Sequence, residues 1–312
     1  MKKVYQLIMI LAVTCVSAQT SVKPDPGWNV KFKVMDEANQ PIAGAKVEAW
    51  YYVPPPPGKT EASDKLEGLT DTNGVFVASH QDHSADLAFR FEKPSYYLSR
   101  MQYHMGFDYD PAIWNSTQTI VLKKINQPIP MYAKRINAQP PDNGKPVGYD
   151  LMVGDWVAPY GKGIDTDIIF TREYNRKSLQ DYDYKLTVSF PKAGDGIQEY
   201  PVLYKNMEGS ALHSPHEAPT NGYQSQIVRL NVSRPGQKLI YDYDENRVYF
   251  FCVRTLLDEN GKVKSALYGK IYGDFMSFDY YLNPTPNDRN MEFDPKQNMM
   301  KNLKPLEGVE AP

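Results

Sequence analysis

The sequence has very little cysteine and lacks the short motifs that mark several common catalytic sites. Only two cysteines, Cys15 and Cys252, occur in 312 residues. No Gly-x-Ser-x-Gly, His-Glu-x-x-His or Cys-x-x-Cys motif is present, so nothing points to a serine hydrolase elbow, a zinc protease helix or a dithiol redox site. No amphipathic helical stripe and no long apolar run stands out either. The fold must therefore be held together mainly by burial.

The first eighteen residues have the pattern of an export signal. Lys2 and Lys3 form a positive region, residues 7–16 are apolar, and residues 16–18 (Val-Ser-Ala) match a cleavage site of small residues. The apolar run is too short to span a bilayer as a helix. A lipidated Cys15 is less favoured because a threonine precedes it. The sequence therefore predicts export to the periplasm or the cell exterior of a bacterium, with no membrane insertion after signal removal.

The charge balance is slightly acidic. The chain carries 35 basic and 37 acidic residues, and the loss of Lys2 and Lys3 with the signal makes the mature protein more acidic. This balance argues against nucleic acid or an anionic membrane surface as a partner.

Cys252 is the only thiol expected in the mature protein. It lies in the apolar stretch VYFFCVRTLL, with no histidine nearby in the sequence. A reactive cysteine needs an accessible, electropositive setting. We therefore expect Cys252 to be a buried and inert core residue.

Alternation of apolar and polar residues dominates the N-terminal third. Three stretches, 30–34, 45–51 and 87–91, place apolar side chains at every second position, which is typical of strands with one buried face. Gly44 follows a Pro-Ile-Ala run and is expected to adopt a positive φ. Asn73-Gly74 predicts a two-residue hairpin turn.

This order of strands and turns resembles the carboxypeptidase regulatory-like domain, a small prealbumin-like β-sandwich. The resemblance is carried by DEANQPIAGAKVEAWYY, LTDTNGVF and KPSYY and covers residues 28–123. It implies an accessory module of secreted and surface proteins that has no chemistry of its own.

The remainder of the chain also reads as strands separated by Gly, Pro and Asn-Gly turns. Asn260-Gly261 predicts a hairpin, and residues 248–257 are apolar on both faces, which predicts a central strand covered twice. The predicted fold is all-β, with an N-terminal prealbumin-like β-sandwich followed by a second β-sandwich-like domain.

The strand candidates of the second domain are Tyr149–Val157, Asp167–Arg172, Tyr184–Phe190, Gln224–Val232, Val248–Leu257 and Val263–Tyr272. The predicted segments are a signal peptide (1–18), a leader (19–27), a first domain (28–124), a linker (125–148), a second domain (149–302) and a tail (303–312).

The segment GDWVAPYGKG, residues 154–163, is the most unusual local stretch. It sets Trp156 and Tyr160 among three glycines and a proline, which predicts a shaped loop. Aromatic rings on such a loop could stack on a sugar while Asp155 and neighbouring polar groups bond its hydroxyls. The alternative is that Trp156 closes one end of the sandwich as a core residue.

Metal ligation is a weaker possibility. His213, His216 and Glu217 could hold zinc if they converged, but Pro215 prevents a helix from stacking the two rings, and a polar loop is favoured. Other acidic or histidine pairs lack a full ligand spacing for calcium or zinc, and no cofactor is expected. These pairs are His80/His83, Asp108/Asp110, Asp165/Asp167, Asp181/Asp183 and Asp242/Asp244.

These observations predict an exported binding or scaffolding protein of the bacterial envelope without enzymatic activity. Its expected partner is a carbohydrate or an envelope protein. A periplasmic or secreted glycan-directed hydrolase is the alternative, since paired carboxylates in the second domain could serve glycoside hydrolysis. A purely structural module without a small ligand is a third possibility.

Cleavage after Ala18 would place the mature N-terminus at Gln19. Intact-mass measurement of the exported protein should therefore give the mass of residues 19–312. Retention of Met1, or a lipid on Cys15, would contradict the predicted signal.

Overall fold

The computed structural model describes residues 28–53, 57, 62–80, 86–104, 117–201, 209–244, 246–275 and 277–312, and these are almost entirely strands and turns. The single regular helix among them is a 3-10 turn, Pro295–Gln297. No helix in this part of the chain has the length and apolar character that crossing a membrane requires. The predicted all-β class is therefore confirmed. The strands are β1 Trp28–Asp36, β2 Lys46–Val53, β3 Ala62–Leu69, β4 Val75–His80, β5 Asp86–Glu92, β6 Ser99–His104, β7 Thr117–Leu122, β8 Tyr132–Ile136, β9 Pro146–Asp150, β10 Asp155–Trp156, β11 Ile168–Ser178, β12 Asp181–Ser189, β13 Gly196–Tyr200, β14 Gly209–Ser210, β15 Gln226–Ser233, β16 Ile240–Tyr241, β17 Val248–Leu257, β18 Val263–Asp274 and β19 Ser277–Leu282.

The N-terminal sandwich encloses one core between two sheets. A three-stranded sheet has the order β4-β1-β7, and a five-stranded sheet has the order β14-β6-β5-β2-β3. The apolar positions of the three alternating stretches face each other across this core, as their spacing predicts. Phe32 contacts both Phe89 and Phe91, with ring centroids 4.6 and 5.0 Å apart, so aromatic packing joins the two sheets.

The turn at Asn73-Gly74 differs from its prediction. Gly74 has φ +72°, but the turn does not close a hairpin. β3 pairs with β2, whereas β4 pairs with β1 in the other sheet, so the turn carries the chain across the sandwich. Asp71 organises the turn by accepting from the backbone N–H groups of Asn73 and Val75. The expectation for Gly44 is confirmed by its φ of +64°.

The second sandwich packs a six-stranded sheet on a five-stranded sheet. Their orders are β10-β9-β11-β12-β15-β16 and β13-β17-β18-β19-β8. The shared core takes side chains from both, including Phe170 and Val188 from one sheet and Phe251 from the other. β17 lies inside its sheet and is buried on both faces from Val248 to Val253, as predicted. The Asn260-Gly261 hairpin between β17 and β18 is also confirmed.

Cys252 is confirmed as a buried free thiol of β17. Burial raises the pKa of its thiol to about 12, and the thiol contacts the carbonyl of Gly194. The thiolate, which is the reactive form, is therefore strongly disfavoured at neutral pH.

Two segments outside the predicted strands carry regular or buried structure. Residues 125–148 include β8, which pairs with β19 at one edge of the five-stranded sheet, and the first residues of β9. The tail packs on the same sheet: Val309 is buried with Met131 and Tyr281, and the Glu307 carbonyl accepts from the backbone of Arg135. The two segments that flank the second domain in sequence thus meet in space.

Close packing inside the second sandwich leaves no room for a side chain at Gly269. A Cβ there would collide with the ring of Phe251 and the carbonyl of Tyr281. We expect Gly269→Ala to lower the free energy of unfolding by about 1–3 kcal/mol, the usual cost of overpacking. The measurement is the urea midpoint. Gly308→Ala is the matched control because a Cβ at Gly308 meets nothing within 4 Å. Equal midpoints for the two variants would contradict this packing.

Candidate functional site

The loop that holds Trp156 is built around the carboxylate of Asp150. This side chain accepts from the backbone N–H groups of Met152, Val153, Ile164 and Asp165 at 2.9–3.1 Å. Although burial opposes ionisation, these donors hold the pKa of Asp150 below its usual value. One carboxylate therefore fixes both ends of the loop.

The glycines of the loop are required by its backbone. Gly154 has φ +71°, which favours glycine, and a Cβ there would press on Met300 and Lys134. A Cβ at Gly161 would collide with the carbonyl of Trp156. Asp155 completes the loop: its two carboxylate oxygens accept from the backbone of Trp156 and of Lys162, each at 2.9 Å.

Trp156 is a partly buried residue that the core holds in one orientation. Its ring meets Tyr149 and Phe170 edge-to-face, with centroids 5.0 and 5.5 Å away. It packs at the margin of the second sandwich core and also lines an open cleft. The ring therefore packs as a core residue on one side, and its other side borders the cleft, where a ligand could stack.

The cleft lies between the Trp156 loop, the end of β8 and the C-terminal segment. Its volume is about 400 Å³, within the roughly 300–1,000 Å³ of small-molecule sites. The aromatic side chains Tyr149 and Trp156 contribute to its wall. The other residues that line it are Lys134, Arg135, Ile136, Asn137, Ala138, Gly154, Asp155, Lys304, Pro305, Leu306 and Glu307.

Most charges at the cleft are already neutralised within the protein. Lys134 donates to the carbonyl of Gly154 at 2.8 Å and lies 3.3 Å from Glu307. Arg135 makes a two-pronged ion pair with Asp279 at 2.7 and 2.8 Å. Burial raises the pKa of Glu307, but the backbone of Lys304 and the charge of Lys134 outweigh it, so the net direction is downward. Of the basic residues that line the cleft, the exposed Lys304 is the one whose side chain has no ion pair within the described residues.

Tyr160 is separate from the cleft. Its side chain is exposed and its hydroxyl donates to Asp142 at 2.6 Å. Of the three residues predicted to bind a ligand, Trp156 and Asp155 line the cleft and Tyr160 does not. The carboxylate of Asp155 already bonds the loop backbone, so its main contribution is to hold the loop in shape.

Sequence reasoning missed the other half of the cleft. Lys134, Asn137, Leu306 and Glu307 come from the predicted linker and tail, which β8 and its neighbours bring beside Trp156. Residues 132–136, Tyr-Ala-Lys-Arg-Ile, do not alternate between apolar and polar side chains and so gave no period-two signal for a strand. No local pattern indicated that the tail would pack against it.

Arg254 is a second residue that the sequence did not single out. It adopts φ +56°, and its guanidinium bridges β17 to the loop by bonding Asp167 at 2.8 and 3.0 Å and Asp150 at 3.1 Å. Asp165 also lies 3.4 Å from it. Asp165 and Asp167 therefore belong to an ion-pair network that joins the two sheets.

The three residues considered as metal ligands have different partners. His213 packs its ring on Tyr272, and Glu217 bonds Arg289. His216 lies between two carboxylates, 2.8 Å from Glu292 and 2.9 Å from Glu37. Within the described ranges, no group of three or more histidine, cysteine, aspartate or glutamate residues is arranged to hold a metal ion.

The remaining pairs have structural roles or lie outside the described residues. His80 packs on Trp28 and Tyr51 in the first core. Asp181 and Asp183 contact Arg234, and Asp242 contacts Arg247. His83, Asp108 and Asp110 lie outside the residues that the structure describes.

His216 and Glu292 hold the two sandwiches together. Glu292 is buried and accepts from the hydroxyl of Tyr97 at 2.8 Å and from the backbone of Asn126 at 2.9 Å. Glu37, which follows β1, bonds the opposite side of the His216 ring. β14 strengthens this junction by pairing with β6 of the first sandwich.

A buried polar cluster lies beside this junction. The ammonium nitrogen of Lys270 is 2.7 Å from the hydroxyl of Tyr272 and 3.4 Å from that of Ser214, and it faces the rings of Tyr272 and Tyr281. Complete burial lowers the pKa of Lys270 well below its usual value. Because Lys270 and Ser214 are fully enclosed, this cluster offers no surface to a ligand.

Comparison with known proteins identifies no family. No family model matches the chain, and no curated protein matches it. Among solved structures, a streptococcal ancillary pilin is similar at 12% identity and a TM-score of 0.21; the match covers 81% of this chain and only 60% of the pilin. A shaft pilin from Lactobacillus rhamnosus GG is similar at 8% identity and a TM-score of 0.22, over 86% of this chain and 94% of the pilin. At these scores the likeness supports no argument.

The buried position of His213 predicts a pH dependence of stability. Burial, together with the charges of Lys270 and Lys123, lowers the pKa of His213 from 6.5 to about 4. Between these values the unfolded chain binds more protons than the folded protein, so the free energy of unfolding falls as the pH falls. We expect this histidine to account for a loss of up to about 3 kcal/mol.

Chemical unfolding at several pH values between 4 and 7 measures this contribution. His213→Phe keeps a ring against Tyr272 but cannot titrate, so its stability should vary less with pH than that of the wild type. Parallel pH profiles for the two proteins would show that His213 does not carry this dependence.

Proposed function

We propose that this chain is an exported, non-catalytic binding or scaffolding protein of the bacterial envelope, and that the cleft beside Trp156 binds carbohydrate. The observation that carries the proposal is the indole ring, which the core fixes in orientation and which borders an open cleft. A ring already held in place loses little conformational freedom when a ligand stacks on it.

The composition of the cleft supports a neutral rather than a charged ligand. Lys134, Arg135, Asp155 and Glu307 each have partners within the protein. Asn137 is exposed at the rim and can both donate and accept. An aromatic face beside amide and backbone polar groups suits a sugar, which has an apolar face and a ring of hydroxyls.

A glycan hydrolase is the competing function, because Asp155 and Glu307 both line the cleft. Glycoside hydrolysis needs a carboxylic acid whose pKa is raised so that it can donate a proton. Hydrogen bonds from the protein instead lower the pKa of Glu307. Asp155 is occupied by the loop backbone. These features favour binding over hydrolysis.

The N-terminal sandwich supports the scaffolding part of the proposal. We propose that residues 28–123 form a carboxypeptidase regulatory-like module whose role is to carry and position the second sandwich. The contacts that Glu37 and Tyr97 make to the second sandwich are consistent with a fixed arrangement of the two. The predicted export signal supports a periplasmic or extracellular location.

Glycan-array screening of the mature protein, followed by calorimetry on a binding glycan, tests the ligand. Trp156→Ala should weaken binding at least several-fold, because a stacked aromatic contributes on the order of 1 kcal/mol beyond its buried area. The same change removes core contacts and should cost about 3 kcal/mol of stability. Binding must therefore be measured well below the melting temperature of the variant.

Two further variants separate binding from folding. Asn137→Ala alters the exposed rim and should weaken binding with little change in melting. Tyr160→Ala, on the same loop but outside the cleft, should leave the affinity unchanged. Failure of the wild type to bind any glycan, or equal loss of affinity for Tyr160→Ala and Trp156→Ala, would refute a carbohydrate site at this cleft.

A further inference from the structure

The outer strand of the six-stranded sheet has an unusual surface. β16 pairs with β15 on one side and forms the end of the sheet on the other. Leu239, Ile240 and Tyr241 are 50%, 51% and 59% exposed. Leu239 directly precedes the strand, and three successive exposed apolar residues at a sheet edge are uncommon, because an open edge can pair with another chain.

The backbone of β16 has a defined inner and outer side. Ile240 pairs with Val232, and the backbone N–H of Asp242 donates to the carbonyl of Leu230 at 2.8 Å. In an antiparallel pair such bonding residues alternate along the strand. The N–H and C=O groups of Leu239 and Tyr241 therefore point away from β15, toward the open side.

A second copy of the same strand is complementary to this edge. If two copies of β16 run antiparallel about a twofold axis at Ile240, each Leu239 lies opposite Tyr241 of the other copy. Both residues have outward backbone groups, so the pair can exchange N–H···O=C bonds on each side of the axis. Ile240 then meets its own counterpart at a non-hydrogen-bonded position.

The charges that flank the strand agree with the same register. The twofold axis places Lys238 opposite Asp242 of the other copy. Lys238 is exposed and has no ion-pair partner among the described residues. Asp242 contacts Arg247 with one oxygen and lies 3.5 Å from Arg229 with the other, yet its side chain remains 39% exposed. A lysine on an edge normally discourages pairing. In this register, however, the Lys238 of each copy lies opposite the Asp242 carboxylate of the other copy.

We propose that β16 is a homodimerisation edge, through which two copies of this chain join their six-stranded sheets into one continuous sheet. The contact is isologous, since the same residues serve both copies. It is also small, so we expect a weak dimer whose population rises with protein concentration. This proposal does not depend on the carbohydrate site.

A cysteine at the twofold axis provides a direct test. In an antiparallel sheet the Cα atoms of a non-hydrogen-bonded pair are about 4.5 Å apart, which a disulfide can bridge. Ile240→Cys, in a Cys252→Ala background, should therefore form a covalent dimer rapidly under mild oxidation. Val263→Cys in the same background is the matched control, because Val263 is also 51% exposed but lies on the β17–β18 hairpin. Equal cross-linking of the two variants would overturn the proposal.

Sedimentation equilibrium of the unmodified chain provides the second measurement. Wild type should associate to a dimer with increasing concentration, and Lys238→Glu should weaken the dimer at least tenfold by setting two carboxylates against each other. Lys262→Glu, an equally simple charge reversal on the distant hairpin, should not. A wild type that stays monomeric at its solubility limit, or one that forms open-ended polymers, would refute the twofold contact. Unchanged association in Lys238→Glu would refute the proposed register.

Discussion

Burial of β17 on both faces is the constraint on which the second sandwich depends. Its residues from Val248 to Val253 pack against the opposite sheet on one side and, on the other, against loop residues that include Ala218 and Met291. A strand of this kind must lie inside its sheet, and it therefore orders β13 and β18 beside it and, through β18, also β19 and β8. With Cys252 free and buried, this packing takes the place of a disulfide.

The candidate site follows from that order of strands. Because β8 ends the five-stranded sheet, Lys134 reaches the carbonyl of Gly154 and the carboxylate of Glu307. The loop itself is fixed by Asp150 and by the bridge that Arg254 makes from β17. Trp156 is thus oriented by core packing on one side and exposed to the cleft on the other, which is the property that the proposed binding function uses.

Particular residues show how far the sequence alone could lead. The alternation at residues 30–34 and 87–91 was sufficient to identify strands and their buried faces, because a strand with one wet face leaves a period of two. The hairpin predicted at Asn73-Gly74 was wrong. A positive φ at Gly74 fits a turn that carries the chain from one sheet to the other as well as it fits a hairpin turn. Residues 132–136 and the tail were missed, because their partners are distant in sequence.

Local pattern by itself determined the all-β class, the buried state of Cys252 and the shaped loop at residues 154–163, since each depends on neighbouring residues and their polarity. Tertiary structure alone decided that Trp156 and Asp155 share a cleft with Glu307 while Tyr160 lies elsewhere. It also decided that His213 and His216 have separate partners. The physical reason is that strand order depends on long-range pairing and shared burial, which no short stretch of sequence contains.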